Sequence, residues 1–444
     1  MSTQLRVQRN VLKELEFDLA EAEMFETGGI TFPNGYCIEL VKDEDGSLTF
    51  VDSKSKEFQE SIDFDEREYV PPILAASLLE ALTLPRKRGD CGSTPELFLQ
   101  VCNIFFSYGL SEAAAQASTF FTFASWFSDV LPIAPCLVLI GGESEAGVLL
   151  QLLSCVVRHA LPLAEINVAT FDHLPMHVQP TMLIGHLRAS TWGLLSASNR
   201  PHAYVLRKNG LTDRYCAKAA YAGLTSYKIE GDDILKVNCA LCGAKRPAIN
   251  DATLNKIASQ FQPQLLDYRL KHAARVRDAE FDAKTLPTPL RTLARALGSC
   301  IVDAPELQVG IVRLLHSHGD ELLENRLFDP NSVAVEALFA LCHGENPTTR
   351  VGVSEIAAKV SSIIAERGET IAVEPRSIGS RLRLLGFRPK RDSKGFAIHL
   401  TPDVRGLIHS LARIHEIEGL EPNVPGCSHC AGAVHSDREV QSAI

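Results

Sequence analysis

The sequence predicts an α/β protein. A parallel sheet with packed helices is followed by an all-helical region and a small C-terminal domain of two helices and a basic hairpin. Three observations predict this. The apolar run Leu137-Val138-Leu139-Ile140 leads into Gly142-Glu143-Ser144-Glu145-Ala146-Gly147, and Leu149, Leu152, Leu153, Val156 and Val157 follow at helical spacing, a strand–loop–helix layout. Across residues 131–250, short apolar runs alternate with helical patterns, the mark of a parallel sheet. Beyond residue 346, two amphipathic helical stretches precede a hairpin rich in Arg and Lys.

Gly142 and Gly147 flank four residues, the glycine spacing of a phosphate-binding P-loop. The side chains depart from that chemistry. Val148 stands where a Lys would meet the β/γ-phosphates, and Leu149 where a hydroxyl would meet Mg²⁺. Glu143 and Glu145 add negative charge at the same place. The apolar strand Pro180 to Ile184 ends in Gly185-His186, where a magnesium-shell carboxylate would be needed. ATP and Mg²⁺ are therefore not expected to be used or hydrolysed in the usual way. Asn199 is a candidate for a sensor position touching a γ-phosphate, or a plain turn residue before Arg200-Pro201. An unorthodox ATPase would have to borrow a cation from Lys208, Arg214 or Arg269.

With 444 residues the chain is expected to hold about two to four domains. No apolar run is long enough for a membrane span, and Met1 to Asp18 lacks the apolar stretch of a secretory leader. The 12 Cys are scattered through apolar patterns, which suits reduced thiols. A cytoplasmic protein is expected. Charge is uneven: residues 1–70 hold 17 acidic and 7 basic side chains, a net −10, and the whole chain is also −10. The rest is balanced, so nucleic acid is compatible as a partner. The acidic segment is a candidate for self-masking or for protein contact.

In chain order, residues 1–70 read as a helical start (Val11 to Met24) and a hairpin, Gly35 to Val41 and Ser47 to Val51, turning at Asp45-Gly46. Residues 71–130 read as helices at Ile73–Leu82, Thr94–Phe106 and Ser111–Trp126, the last capped by Ser111, with Phe120, Phe121, Phe123 and Trp126 in the core. Residues 131–250 form the sheet domain, with strands also expected toward Leu194–Asn199, at His202–Arg207 and at Ile234–Asn238. Residues 251–345 read as a helical lid. Residues 346–416 read as a winged helix-turn-helix. One helix, capped by Ser354, runs to about Arg367, a second spans Pro375 to Leu385, and a hairpin turns at Ser393-Lys394-Gly395. Residues 417–444 read as a flexible tail.

Between Glu374 and Lys394 seven basic side chains face two acidic ones, a net +5 in 21 residues of an acidic protein. Arg376, Ser377, Ser380, Arg381 and Arg383 on the second helix are candidates for a DNA groove. Arg388, Lys390, Arg391 and Lys394 are candidates for phosphates. Such a winged helix also serves protein contacts in the competing reading.

Two C-x-x-C pairs occur, Cys239/Cys242 and Cys427/Cys430, and His435 is a candidate third ligand beside the second pair. Zinc is the candidate ion, although the full spaced signature is missing. Ser144 lacks the second glycine of a nucleophile elbow, and His173 and His177 lack the Glu of a zincin helix.

The order of these parts, with Arg376-Ser377-Ile378-Gly379, Leu385-Gly386-Phe387 and Lys394-Gly395-Phe396 in the last module, resembles the ATPase-plus-winged-helix portion of plasmid and phage primase-helicase-type proteins. The resemblance spans roughly residues 75–416 and implies a P-loop NTPase-like (RecA/AAA+-like) core. It also implies a DNA-associated role in replication or regulation of a mobile element. Because Val148, Gly185 and His186 replace the family's catalytic groups, the implied relative is a non-hydrolysing pseudo-ATPase. A DNA-stimulated ATPase component and a protein adaptor stay open as alternatives, as does an oligomeric state.

Overall fold

The computed structural model describes residues 24–417 except 56, 172, 208–209, 224–228, 230, 232, 243–246, 344–348, 369–372, 394 and 416. The chain divides into two compact units, Met1–His318 and Gly319–Ile444.

The first unit opens with β1 (Met24–Glu26), β2 (Gly29–Thr31), β3 (Cys37–Lys42), β4 (Leu48–Asp52), β5 (Ile62–Phe64) and β6 (Arg67–Val70). They form two small sheets, β2-β3-β4 and β1-β6-β5. The expected hairpin is β3–β4, with Lys42 opposite Leu48 and Gly46 at φ +91° in the turn. The expected helix Val11 to Met24 lies outside the described residues apart from Met24, which opens β1.

Three helices follow: α1 (Ala76–Ala81), α2 (Thr94–Ser107) and α3 (Glu112–Ser125). Ser93 and Ser111 cap α2 and α3 by accepting from the Glu96 and Ala114 amides. Phe120, Phe121 and Phe123 are buried, and the buried Trp126 indole donates to the Val156 carbonyl at 2.8 Å.

The central layer is built from β7 (Cys136–Ile140), α4 (Glu143–Val156), β8 (Ala160–Glu165), α5 (Val168–Phe171), β9 (Thr181–His186), α6 (Ala189–Ala197), β10 (Tyr204–Arg207), β11 (Gly210–Asp213), β12 (Lys218–Tyr221) and β13 (Leu235–Asn238). Five strands make one all-parallel sheet in the order β13-β7-β12-β9-β8. The α/β class is as the sequence predicts. Two expected strands differ. Leu194 and Leu195 lie in helix α6, and β10 pairs with β11 as a separate hairpin. Their places in the sheet belong to β8 and β12. The unit continues through α7 (Asp251–Arg277), α8 (Thr288–Ser299) and α9 (Pro305–Phe328).

A buried ionic network fastens the N-terminal strands to this layer. Glu39, on β3, takes the Arg158 Nε at 2.6 Å and the Arg269 Nε at 2.5 Å, and all three side chains are fully buried. Arg269, on α7, also grips Asp129 through both terminal nitrogens, at 2.7 and 3.0 Å. The His159 ring places Nε2 at 2.8 Å from Glu39 and Nδ1 at 2.7 Å from the Val178 carbonyl. Gly29, at φ +139°, passes over the network where a Cβ would press on the Glu39 carboxylate at 2.6 Å. Burial alone would raise the Glu39 carboxyl, but Arg158, Arg269 and His159 overcome it and hold it far below the usual range.

The second unit contains α10 (Pro330–Cys342), β14 (Arg350–Gly352), α11 (Val353–Glu366), α12 (Pro375–Leu384), β15 (Lys390–Asp392), β16 (Gly395–His399) and α13 (Pro402–Ile414). The strands form a sheet β14-β16-β15. The units divide ahead of α10 rather than at the expected residue 346, because Val333, Ala337 and Leu338 of α10 share one core with Ile356, Val360 and Leu382. Ser354 is not the cap of α11. Gly352 is, and its amide donates to Glu355 Oε2 at 2.8 Å, so the helix starts one residue earlier. Among the described residues no helix is long and apolar enough to cross a membrane.

Candidate functional site

Two places offer chemistry: the carboxyl edge of the parallel sheet, in the first unit, and the basic surface of the second unit.

At the sheet edge the expected six-residue glycine loop is a two-residue turn. β7 ends at Ile140, Gly141 and Gly142 make the turn, and Glu143 already belongs to α4. Ser144, Glu145 and Ala146 are thus helical, and Gly147 lies within the helix with nothing near its Cβ position. The physical reason is local: Glu143 and Glu145 in the first turn suit the positive end of the helix. The Glu145 carboxylate folds back over Gly142, so that a side chain there would collide with it. An acid of the chain itself therefore lies at the helix start. Leu149 is fully buried and Val148 half-buried, so neither position presents a group to a ligand at the turn.

Around the turn, the Tyr221 hydroxyl donates to the Gly141 carbonyl at 3.1 Å, and the Cys239 thiol to the Ile140 carbonyl at 3.0 Å. Burial raises the Cys239 thiol, and Glu145 adds to it, which keeps the sulfur protonated. At the end of β9, Gly185 packs against the Ala164 carbonyl and the exposed His186 lies opposite Glu165. Glu165 is itself clasped by Arg188, at 2.6 Å at the shortest.

Asn199 is fully buried and sits at the other end of the sheet. Its carbonyl takes the Ala134 amide ahead of β7, and its side chain takes the Lys218 ammonium, at the first residue of β12, at 2.5 Å. Its amide donates to Asp233 at 3.2 Å. A strand's length, on the order of 15 Å, separates it from the glycine turn, so it is not a phosphate sensor there. The cations considered for an unorthodox ATPase are not at the turn either. Arg269 is committed to Glu39 and Asp129, and Arg214 is buried over the Phe171 ring. Lys208 lies outside the described residues.

In the second unit, α12 exposes Arg376, Ser377, Ser380 and Arg383, and the hairpin after it exposes Arg388, Lys390 and Arg391. The five basic groups of that set make no ion pair among the described residues. Arg376, Ser380 and Arg383 fall on one stripe, at spacings of four and three residues. Arg381 leaves the stripe: it is half-buried and leans toward Asn331 of α10 at 3.5 Å. Asp392, the hairpin's acid, is held by Arg350 at 2.7 Å and so subtracts little from the positive surface. Lys394 lies outside the described residues. Sequence reasoning did not single out Leu384 and Phe396, which stand exposed on the same elements. Phe396 is the direct cross-strand partner of Arg391.

Of the metal candidates, Cys427, Cys430 and His435 lie outside the described residues. Cys239 is buried and Cys242 exposed, with its amide donating to the Gly109 carbonyl at 2.6 Å. The structure brings together a different group, Asp90, Cys91 and Asp267. Lys271 already fills it, with its ammonium 2.6 Å from Asp267 and 3.3 Å from Asp90. Burial and Asp267 push the Cys91 thiol up to about 11, so it is a poor ligand.

No protein-family model matches this chain, and no curated protein matches it.

Proposed function

We propose that this chain is a DNA-binding protein. In this reading its C-terminal unit is a winged helix-turn-helix, and its core is a P-loop-type ATPase fold that does not turn ATP over. One observation carries it: Arg376, Arg383, Arg388, Lys390 and Arg391 are exposed together, without an ion pair among the described residues, on one helix and the hairpin behind it. Cations left unpaired in a protein with net charge −10 call for an external anion, and the phosphate backbone supplies one at every step. The order α10-β14-α11-α12-β15-β16 supports the winged-helix reading, with α12 as the helix offered to a major groove.

Strand order supports the core reading. β12 lies between β7 and β9, as one strand separates the P-loop strand from the metal-shell strand in the RecA/AAA+-like ATPases the sequence resembles. Ligands of such sheets bind beyond the carboxyl ends of the strands where connections diverge, here at β7 and β12. In this chain Glu145 and the buried Leu149 occupy that position, and no lysine or hydroxyl replaces them. The setting this favours is a non-hydrolysing relative of primase-helicase-type proteins, acting in replication or regulation of a mobile element.

A second reading has its own support. The exposed Leu384 and Phe396 beside the arginines suit a protein partner, as an adaptor would use. Titrating the full chain against a labelled duplex while measuring ATP turnover with and without DNA separates the readings. Tight, salt-sensitive binding without turnover is expected. Absence of binding would favour the adaptor, and DNA-stimulated turnover would favour an enzyme.

A further inference from the structure

Resting on α12 as the helix presented to duplex DNA, we infer that Arg376 and Arg383 read two guanines separated by one base pair, a G-N-G triplet. Both side chains are exposed on one stripe of α12, and neither has an ion-pair partner among the described residues. Seven residues apart, they stand about 10.5 Å from each other along the axis, which is two turns. Helices that read three successive base pairs place their reading residues every three to four positions over a similar span. An arginine fork matches the O6 and N7 of guanine and no other base edge as well.

Ser380 occupies the middle of the stripe. It is exposed, and its hydroxyl is turned onto the Arg376 carbonyl at 3.3 Å. A short neutral side chain already satisfied by backbone tolerates any central base pair. Arg381 is outside the triplet, because it lies about 140° around the helix from Arg376 and leans toward Asn331. The hairpin cations Arg388, Lys390 and Arg391 set affinity on the phosphates without sequence choice.

The test uses the full chain and a pool of duplexes randomised over about ten base pairs, selected at fixed salt. The recovered sequences are expected to carry G-N-G, and a G-N-G duplex should bind on the order of tenfold tighter per guanine than the same duplex with those positions changed. Arg376→Ala should relax choice at one end of the triplet and Arg383→Ala at the other, and Arg376→Lys should keep the salt dependence while losing the choice. Recovered sequences without G-N-G, or a preference unmoved in both alanine variants, would overturn the inference. Salt-sensitive binding with no preference overturns this inference alone and leaves the DNA-binding proposal standing. Loss of all binding in the wild-type chain overturns both.

Discussion

Glu39 and Arg269 stand 230 positions apart in sequence and meet at 2.5 Å, both wholly shielded from solvent. The contact joins strand β3 to helix α7 across the core, with Arg158 and Asp129 completing the charge balance. Removing one partner strands the other in a medium where it cannot be solvated. Glu39→Gln and Arg269→Met are each expected to destabilise the first unit by about 3–5 kcal/mol, read by urea denaturation. Replacing both with apolar residues of similar volume should cost less than the two single changes together, which a double-mutant cycle would show.

The same network sets the acid limit. Burial would raise the carboxyls of Glu39 and Asp129, but the arginines hold both below their ordinary values. Between the folded and unfolded pKa values the unfolded chain binds more protons, so stability rises with pH there. The contribution is complete above the unfolded value of about 4 and is lost as pH falls through the folded values. Wild-type protein is expected to lose stability steeply below about pH 4. Glu39→Gln should show a shallower acid limb in the same series of denaturation curves.

The glycine turn carries its own prediction. Restoring the missing side chains with Val148→Lys and Leu149→Thr should not create ATP binding. The two-residue turn lacks the run of amides that cradles phosphate, and position 149 faces the core. Leu149→Thr should instead destabilise the fold by about 2–4 kcal/mol. Fluorescent-nucleotide titration and a melting curve on the same sample read both effects, and saturable ATP binding by the double variant would contradict the assignment.

How far the sequence reveals this architecture depends on whether the deciding forces are local. The β3–β4 hairpin follows from Asp45-Gly46, and α3 from its Ser111 cap, because each signal acts within a few residues. Strands β7 and β9 follow from continuous apolar runs covered on both faces. Strands β8 and β12 escape notice because Pro162, Glu165 and Lys218 interrupt their apolar character. Gly142 and Gly147 suggest a loop by spacing alone, yet the acids between them stabilise a helix start. Glu39 shows as an acid inside Ile38-Glu39-Leu40-Val41, but its partners come from three distant elements and no local pattern names them. The basic face is legible as composition. Which arginines it exposes is not, since Arg381 is turned by Asn331, 50 positions away.

That difference between arginines is measurable. Arg381→Glu should weaken duplex binding clearly less than Arg383→Glu, although the two changes alter net charge equally. Equal losses would mean that bulk charge, not the α12 stripe, governs binding.

The most direct test of the account is the affinity of the full chain for a duplex across a salt series, in wild type and in Arg383→Glu plus Lys390→Glu. The wild-type plot of log affinity against log salt should fall steeply. The double variant should bind more weakly at low salt, with a slope smaller by about 2, one for each phosphate contact removed. A flat wild-type plot, or a variant that matches the wild type at every salt concentration, would contradict the claim that this surface grips DNA.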